Sequence, residues 1–154
     1  MATVVTLNPQ VLGQAENAHR AMLDVILRSP GMTYHQWVGL TVAATAGDQV
    51  PLEQLIGRLT GALKTSVDTV RTTLAELTVE GLIDQDSTTV RVTDLGRTRF
   101  GAVRSDIEAA MQQAYADIPA VDLDTAGRVL AQVTAPVERG AHSRVRAHEA
   151  AGEG

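Results

Sequence analysis

Apolar residues recur at helical spacing along most of the chain, and short polar or glycine-containing segments separate the periodic stretches. A first helix is predicted to begin at Pro9 with Asn8 as its N-cap, because proline suits the first turn and asparagine accepts from free backbone N–H groups. The sequence "SPG" at 29–31 ends this helix. Thr33 is predicted to cap a second helix, and a third helix begins near Pro51.

Between residues 65 and 96, the spacing of the apolar residues changes from that of a helix to that of β-strands. Ser66 is predicted to cap a fourth helix, whose inward stripe consists of Val67, Val70, Leu74 and Leu77. Gly81 supplies the left-handed residue that ends this helix. Two short runs rich in β-branched residues then flank the polar segment "QDST", which predicts a β-hairpin. Thr93 is predicted to cap a long fifth helix.

Two helices are predicted after the hairpin, at about 94–118 and 122–138, and both carry apolar stripes. Residues 140–154 contain almost no large apolar side chain, so they are predicted to be a disordered tail. The residues before them, 1–139, are predicted to form a single domain.

Helix, turn, helix and hairpin in this order is the plan of a winged helix-turn-helix. The predicted fold class is therefore mainly α with a small β-hairpin wing: a winged helix-turn-helix lobe at about 33–93 plus a helical region. That region consists of the helices at about 8–29, 94–118 and 122–138. The fifth helix is too long for one small lobe to cover, which favours a partner chain as its cover.

The composition changes this picture mainly by exclusion. The 154 residues are 44% hydrophobic and include no cysteine, which excludes disulfides, thiolate metal sites and thiol nucleophiles. No apolar run has the length of a membrane span and no secretory signal is recognisable, so a cytoplasmic protein without a membrane partner is predicted. Phosphate-loop, nucleophile-elbow and paired-histidine motifs are missing, and we predict neither an enzyme nor a cofactor. His19 and His35 lack a convincing acidic partner, so no metal site is predicted.

Candidate DNA contacts lie around the first turns of the fourth helix. A helix in the major groove needs small or polar outward side chains there, and arginine can pair with guanine or phosphate. Asp68 can accept from cytosine, or it can favour the positive end of the helix dipole. The alternative is a solvated helix face, and Arg91 in the hairpin is equally expected to pair with Asp84 or Asp86. The predicted DNA-binding set is Lys64, Ser66, Asp68, Thr69, Arg71, Thr72 and Arg91.

Three segments together resemble one known family. "MTYHQWVGL" resembles a second helix with a Thr-x-x-Gln-aromatic start, and "LTGALKTSVDTVRTTLAELTVEGLI" is similar to a leucine-rich helix, a recognition helix and a Gly-Leu-Ile exit. "VRVTDLGRTRF" looks like a second wing strand followed by the start of a dimerisation helix. In this order and spacing they resemble the MarR-type (multiple antibiotic resistance) transcriptional regulators over about 8–139.

The resemblance implies that the helices at about 8–29, 94–118 and 122–138 form a helical dimerisation region. It also implies a homodimer that binds a pseudo-palindromic operator in double-stranded DNA, usually as a repressor. It also implies a small phenolic or lipophilic ligand that releases the protein from DNA. The ligand is expected in a cleft between the dimerisation helices and the lobe. The residues placed there are His19, Met22, Tyr34 and Trp37, with Arg104 as a further candidate. His19 is alternatively expected to be a core or interface histidine.

The charge balance favours functions other than DNA binding. The net charge is −5, and over 51–100 six basic residues face seven acidic ones: Arg58, Lys64, Arg71, Arg91, Arg97 and Arg99 against Glu53, Asp68, Glu76, Glu80, Asp84, Asp86 and Asp94. Affinity for DNA grows with the number of neutralised phosphates, so weak, less salt-dependent binding is expected. The alternatives are a winged-helix dimer that has lost DNA binding and acts as a protein-interaction module, or a small-ligand carrier.

Overall fold

Helices dominate the protein, whose computed structural model describes residues 5–152. The helices are α1 (Pro9–Arg28), α2 (Tyr34–Thr45), α3 (Leu52–Leu63), α4 (Val67–Val79), α5 (Asp94–Ala114) and α6 (Ala120–Gly152). The strands are β1 (Val50–Pro51), β2 (Ile83–Gln85) and β3 (Thr89–Val92). The predicted fold class, mainly α with a small β element, is confirmed.

Side-chain caps explain where the first two helices begin. The Asn8 side-chain oxygen accepts hydrogen bonds from the backbone N–H groups of Gln10 and Val11, at 2.9 and 3.0 Å. At the start of α2, Thr33 Oγ1 accepts from the Gln36 N–H at 3.1 Å, and Gln36 Oε1 accepts from the Thr33 N–H at 2.9 Å. This reciprocal pair is a capping box, which satisfies two free donors at once. Both predicted caps are confirmed.

The wing hairpin belongs to a three-stranded antiparallel sheet in the order β1-β3-β2. Strands β2 and β3 pair as predicted, with Asp84 opposite Arg91. Strand β1 was not predicted; it pairs Val50 with Val90 and leads directly into α3. Pro51 is tolerated in β1 because the strand lies at the edge of the sheet, where one side of its backbone needs no partner. A two-residue strand is too short to produce a periodic signal.

The hydrophobic core joins α2, α3, α4 and the sheet. Trp37 is 9% exposed and stacks on Phe100 from α5, with ring centroids 5.6 Å apart. Aliphatic side chains fill the rest, as the low aromatic content predicts, and each contributes about 1.5–3 kcal/mol by its burial. The most completely buried of them are Leu27, Leu40, Leu55, Leu59, Val70, Leu74, Leu77, Leu82, Ile83 and Val90.

Thr93 connects the end of α4 to the start of α5. Its hydroxyl donates to the Gly81 carbonyl at 2.6 Å and accepts from the Gly96 N–H at 3.0 Å. Its backbone N–H donates to the Leu82 carbonyl at 3.1 Å. Gly81 has φ +70°, a left-handed conformation that glycine adopts without strain. The predicted roles of Gly81 and Thr93 at these two helix ends are therefore confirmed.

Helix α5 is shorter than predicted. It ends at Ala114 rather than near 118. Pro119 disfavours the helical conformation at the residue before it, and the chain already turns at Tyr115, with the Ile118 N–H donating to the Tyr115 carbonyl at 2.9 Å.

Helix α6 is longer than predicted. It continues through Pro136 to Gly152, so residues 140–152 are helical where the sequence predicted a disordered tail. This segment contains four alanines and two arginines, whose high helix propensity is independent of the low hydrophobicity behind the prediction. Residues 153 and 154 of the predicted tail, and 1–4 of the predicted domain, lie outside the described residues. The chain divides into two compact units after Ala110. The single domain over 1–139 stays a prediction.

Two classes of site are absent from the described part of the chain. Between residues 5 and 152, no helix is both long enough and apolar enough to span a membrane. Over the same range, no three histidine or acidic side chains lie close enough together to hold a metal ion.

Candidate nucleic-acid interface

Helix α4 has one buried and one exposed face in its first turns. Val70, Leu74 and Leu77 are fully buried, and Thr73 is buried beside them. Asp68, Arg71, Thr72 and Ala75 are exposed, and we call these four residues the outward face. The predicted inward position of Val67 is wrong, because its side chain is 44% exposed. Val67 is the first residue of α4 and projects beyond the core that covers Val70.

The turn that leads into α4 is fixed by capping interactions. The Ser66 hydroxyl accepts from the Thr69 N–H at 3.2 Å and lies 2.9 Å from the Thr69 hydroxyl. This satisfies one of the free donors at the helix N-terminus. Lys64 ends α3 in the left-handed conformation, with φ 50°, and is exposed. The predicted DNA-binding residues from Lys64 to Thr72 therefore lie in one continuous segment of the structure. Within it, Ser66 and Thr69 also take part in the cap of α4.

Arg71 is the basic residue of the outward face, and it forms an ion pair. Its Nη2 lies 3.0 Å from Oε1 of Glu53, in the first turn of α3. The two side chains are 49% and 78% exposed, respectively. An ion pair with this exposure is worth only about 0–1 kcal/mol, and it leaves the guanidinium of Arg71 accessible to a further acceptor.

Arg91 forms an ion pair within the wing. Its Nη2 lies 2.7 Å from Oδ2 of Asp84, the residue directly opposite in the hairpin. The sequence left Asp84 and Asp86 open as partners, and the structure selects Asp84. The pair is well exposed on both sides, so Arg91 remains accessible to solvent.

Asp86 organises the tip of the wing. Its carboxylate accepts from the backbone N–H groups of Thr88 and Thr89, both at 2.7 Å, and from their hydroxyls at 2.9 and 3.0 Å. These bonds, chiefly the one from the Thr88 backbone, lower the pKa of Asp86 from 3.8 to about 2. The carboxylate is therefore occupied by its own turn and stays ionised in acid, which explains why Asp86 does not pair with Arg91.

Ion pairs within the protein involve several of the basic residues between 51 and 100. Besides Arg71 and Arg91, Arg97 pairs with Asp48 at 3.2 Å. Arg99 donates to the carbonyl of Pro30 at 3.0 Å. Part of the balanced charge that the sequence predicts is thus organised as local ion pairs.

A cavity of about 360 Å³ lies between α1, α2 and α4, where it reaches Thr72 of the outward face. The Arg20 guanidinium carbon lies 3.3 Å from the centre of the Tyr34 ring, a cation–π contact at the wall of this cavity. All the lining residues carry a polar group: Arg20, Thr33, Tyr34, His35, Thr69, Thr72, Thr73 and Glu76. The cavity therefore suits a small ligand with hydrogen-bonding groups better than a purely lipophilic one.

The four predicted ligand-binding residues are not brought together. Tyr34 lines the cavity. Trp37 is buried in the core, where it stacks on Phe100. Met22 is half-buried on α1, and His19 is exposed there, with Nδ1 2.6 Å from the Ala15 carbonyl oxygen. Arg104, the further candidate, is exposed on α5 and pairs with Glu108 at 2.8 Å.

Gln36 links the start of α2 to α4, a role that the sequence interpretation missed. Its Nε2 donates to Glu76 Oε2 and to Glu80 Oε1, both at 3.1 Å. Its side chain also completes the capping box with Thr33, and the residue is only 5% exposed. The spacing Thr-x-x-Gln predicts the capping box, but nothing nearby in the sequence predicts that Gln36 also binds two glutamates. Glu53 was missed for the same reason, since its partner Arg71 lies on a different helix.

No protein-family profile and no curated protein matches the chain. Solved structures do match. A MarR-family transcriptional regulator from Silicibacter pomeroyi has a TM-score of 0.69 and 19% identity, over 84% of this chain and 88% of that one. CouR from Rhodococcus jostii RHA1, bound to p-coumaroyl-CoA, has a TM-score of 0.69 and 14% identity, over 80% and 88%. A MarR-family protein from Mycobacterium tuberculosis in complex with DNA has a TM-score of 0.69 and 16% identity, over 84% and 99%.

These three proteins share their whole architecture with this chain, because the matches cover at least 80% of both partners. At sequence identities of 14–19%, these matches show a shared fold, but they do not transfer the roles of individual side chains. The resemblance found in the sequence motifs is confirmed at this level. The chain has the winged helix-turn-helix fold of the MarR-family transcriptional regulators.

Proposed function

We propose that the protein is a DNA-binding transcriptional regulator of the MarR type, a cytoplasmic homodimeric repressor that a small molecule releases from DNA. The observation that carries the proposal is the outward face of α4, which is polar, exposed and capped at its start by Ser66. The wing lies next to α4 in the chain and in the fold. A protein of the same fold is in complex with DNA.

The outward face has the chemistry that a major groove requires. Arg71 can donate two hydrogen bonds to a guanine edge or one to a phosphate, and Thr72 can donate to a phosphate or contact a thymine methyl group. Lys64 lies just before the N-terminus of α4, where a phosphate is also attracted by the helix dipole. Arg91 would make the auxiliary contact of the wing. The ion pairs of Arg71 and Arg91 are exposed, so DNA can reach both guanidinium groups.

Exposed apolar residues support a homodimer. On α1, Leu12 and Val25 are 36% and 59% exposed. On α6, Val129 and Leu130 are 37% and 40% exposed, and these helices belong to the predicted dimerisation region. A second copy packed against these helices would cover such exposed aliphatic side chains, and it is the partner that a symmetric regulator offers.

A titration of the purified protein tests the main proposal. Light scattering should give twice the 16.3 kDa mass of the single chain. Fluorescence anisotropy against a pool of duplexes from around its own gene should select particular sequences, with affinity that falls as salt rises. Absence of selective binding even at low salt would contradict the proposal.

Replacing Arg71 by alanine should weaken binding to the selected duplex by about 10- to 100-fold, because a guanine or phosphate partner of the guanidinium is lost. Arg104→Ala is the matched control, since it removes the same charge from an exposed arginine that also pairs with a glutamate. We expect this control to stay within about twofold of the wild type. Equal losses in both variants would mean that α4 does not contact the bases.

The cavity beside α4 is where we place the effector. It touches α4 through Thr72 of the outward face, the buried Thr73 and the exposed Glu76. Gln36 ties Glu76 to the start of α2, whose first residues also line the cavity. A ligand that separates α2 from α4 would therefore reposition the recognition helix, a shift between two states of the lobe.

A phenolic carboxylate is the first effector to test, because the cavity combines an arginine with several hydroxyl groups. 4-Hydroxybenzoate at millimolar concentration should weaken the wild-type complex with DNA and change the distance between fluorophores on the two recognition helices of the dimer. Tyr34→Ala removes a cavity wall and should abolish the response while DNA binding persists. An unchanged distance, together with unchanged affinity, would exclude this class of ligand as the releasing effector.

Charge pairing favours one alternative function, a winged-helix dimer that binds a protein partner instead of DNA. Arg71, Arg91 and Arg97 each lie within 3.2 Å of a carboxylate, which reduces the positive potential that attracts DNA. This alternative expects no selective DNA binding by the wild type and no effect of Arg71→Ala, so the titrations above separate the two functions.

A further inference from the structure

Glu53 places a negative charge beside the outward face of α4. It belongs to the first turn of α3, and its Oε1 lies 3.0 Å from Nη2 of Arg71. With 78% of the Glu53 side chain and 49% of the Arg71 side chain exposed, a duplex that reaches α4 meets both groups. The first turn of a helix normally attracts phosphate, and a carboxylate at that position opposes this attraction.

We propose that Glu53 is a specificity-determining residue, which withholds Arg71 from phosphates and orients it towards a guanine edge. The inference rests on the proposed DNA-binding function. It adds to that function a residue of α3 that touches no base and acts through Arg71.

The first part of the argument concerns phosphates. Contacts with phosphates supply the affinity that a protein has for any duplex, and they carry no sequence information. A carboxylate next to the arginine of the outward face repels phosphates at every site on DNA. Glu53 therefore lowers affinity for all sequences by a similar factor.

The second part concerns orientation at the preferred sequence. The guanidinium is a planar fork, and its bond to Glu53 occupies one hydrogen of Nη2 while the remaining N–H groups stay free to approach guanine O6 and N7. Because Glu53 already restricts the side chain of Arg71, less conformational freedom is lost when guanine binds. This gain offsets the repulsion only where a guanine is in place, so Glu53 raises the ratio of specific to non-specific affinity.

Glu53→Gln tests the inference, with Glu108→Gln as the matched control. Both substitutions remove one negative charge from an exposed glutamate that pairs with an arginine, but Glu108 lies on α5. Anisotropy is measured at one salt concentration for the duplex that the wild type selects and for a random duplex of the same length. We expect Glu53→Gln to bind the random duplex about three- to tenfold more tightly and the selected duplex within about twofold of the wild type. The control should leave the ratio of the two affinities unchanged.

Two results overturn the inference, and they are distinguishable. If the wild type binds selectively but Glu53→Gln and Glu108→Gln change the ratio equally, the effect is one of net charge and Glu53 has no special role. If the wild type shows no selective binding, the proposed function itself fails and the inference with it. Circular dichroism should confirm that Glu53→Gln keeps the fold, as its exposure predicts.

Discussion

Replacing Leu74 by alanine should lower the free energy of unfolding by about 2–5 kcal/mol, because the side chain is completely buried and its removal leaves a cavity. Leu74 lies on the inner side of α4, between the helix and the rest of the lobe core. The loss would therefore loosen the packing of α4 itself. A corresponding fall in melting temperature of about 10 °C is expected for a chain of this size.

Urea unfolding followed by the fluorescence of Trp37 measures this change, since Trp37 is the single tryptophan and is buried in the same core. Val79→Ala is the matched control on the same helix: its side chain is 89% exposed, and the substitution should stay within about 0.5 kcal/mol of the wild type. A loss below about 1 kcal/mol for Leu74→Ala would mean that the core can collapse around the missing side chain.

Replacing Gly96 by alanine should destabilise the protein by about 3 kcal/mol or more, because there is no space for a methyl group at this position. A Cβ atom on Gly96 would overlap the carbonyl oxygen of Leu82 and lie 2.8 Å from Cγ1 of Val92. The overlapping atom belongs to the backbone and cannot rotate away. The start of α5 would have to move from the sheet, which breaks the hydrogen bond between the Thr93 N–H and the Leu82 carbonyl.

Gly57→Ala separates this clash from the general effect of glycine in a helix. Gly57 lies inside α3 with nothing near its added Cβ atom, so alanine there should stabilise the protein by about 0.5–1 kcal/mol. Both variants can be compared by the same urea unfolding experiment. If Gly96→Ala also stabilised the protein, the close approach of α5 to β2 would be disproved.

The sequence predicts most of the fold because helix starts and stops are local signals. Asn8, Thr33, Ser66 and Thr93 each accept a hydrogen bond from a backbone N–H within three residues of themselves, and all four were predicted as caps. The stripe Val70, Leu74 and Leu77 is likewise predicted by spacing alone and is fully buried.

Features that depend on residues far apart in the chain could not be predicted. The partner of Arg71 lies 18 residues away, and the two partners of Gln36 lie 40 and 44 residues away. Their choice depends on how the helices pack, which periodicity does not specify. The candidate site shares this limit: the outward face follows from α4 alone, whereas the cavity requires α1, α2 and α4 together, and only Tyr34 among the four predicted residues lines it.

The bonds of Thr93 have a consequence for motion. One hydroxyl joins the residue that ends the recognition helix to the first turn of α5, and the backbone of the same threonine is bonded to the strand side of the wing. Because these bonds join them directly, α4, the wing and the start of α5 should rotate together as one unit. A change in the tilt of α5 would then move the outward face of α4 with it, and the proposed release by an effector would need no bending within the lobe.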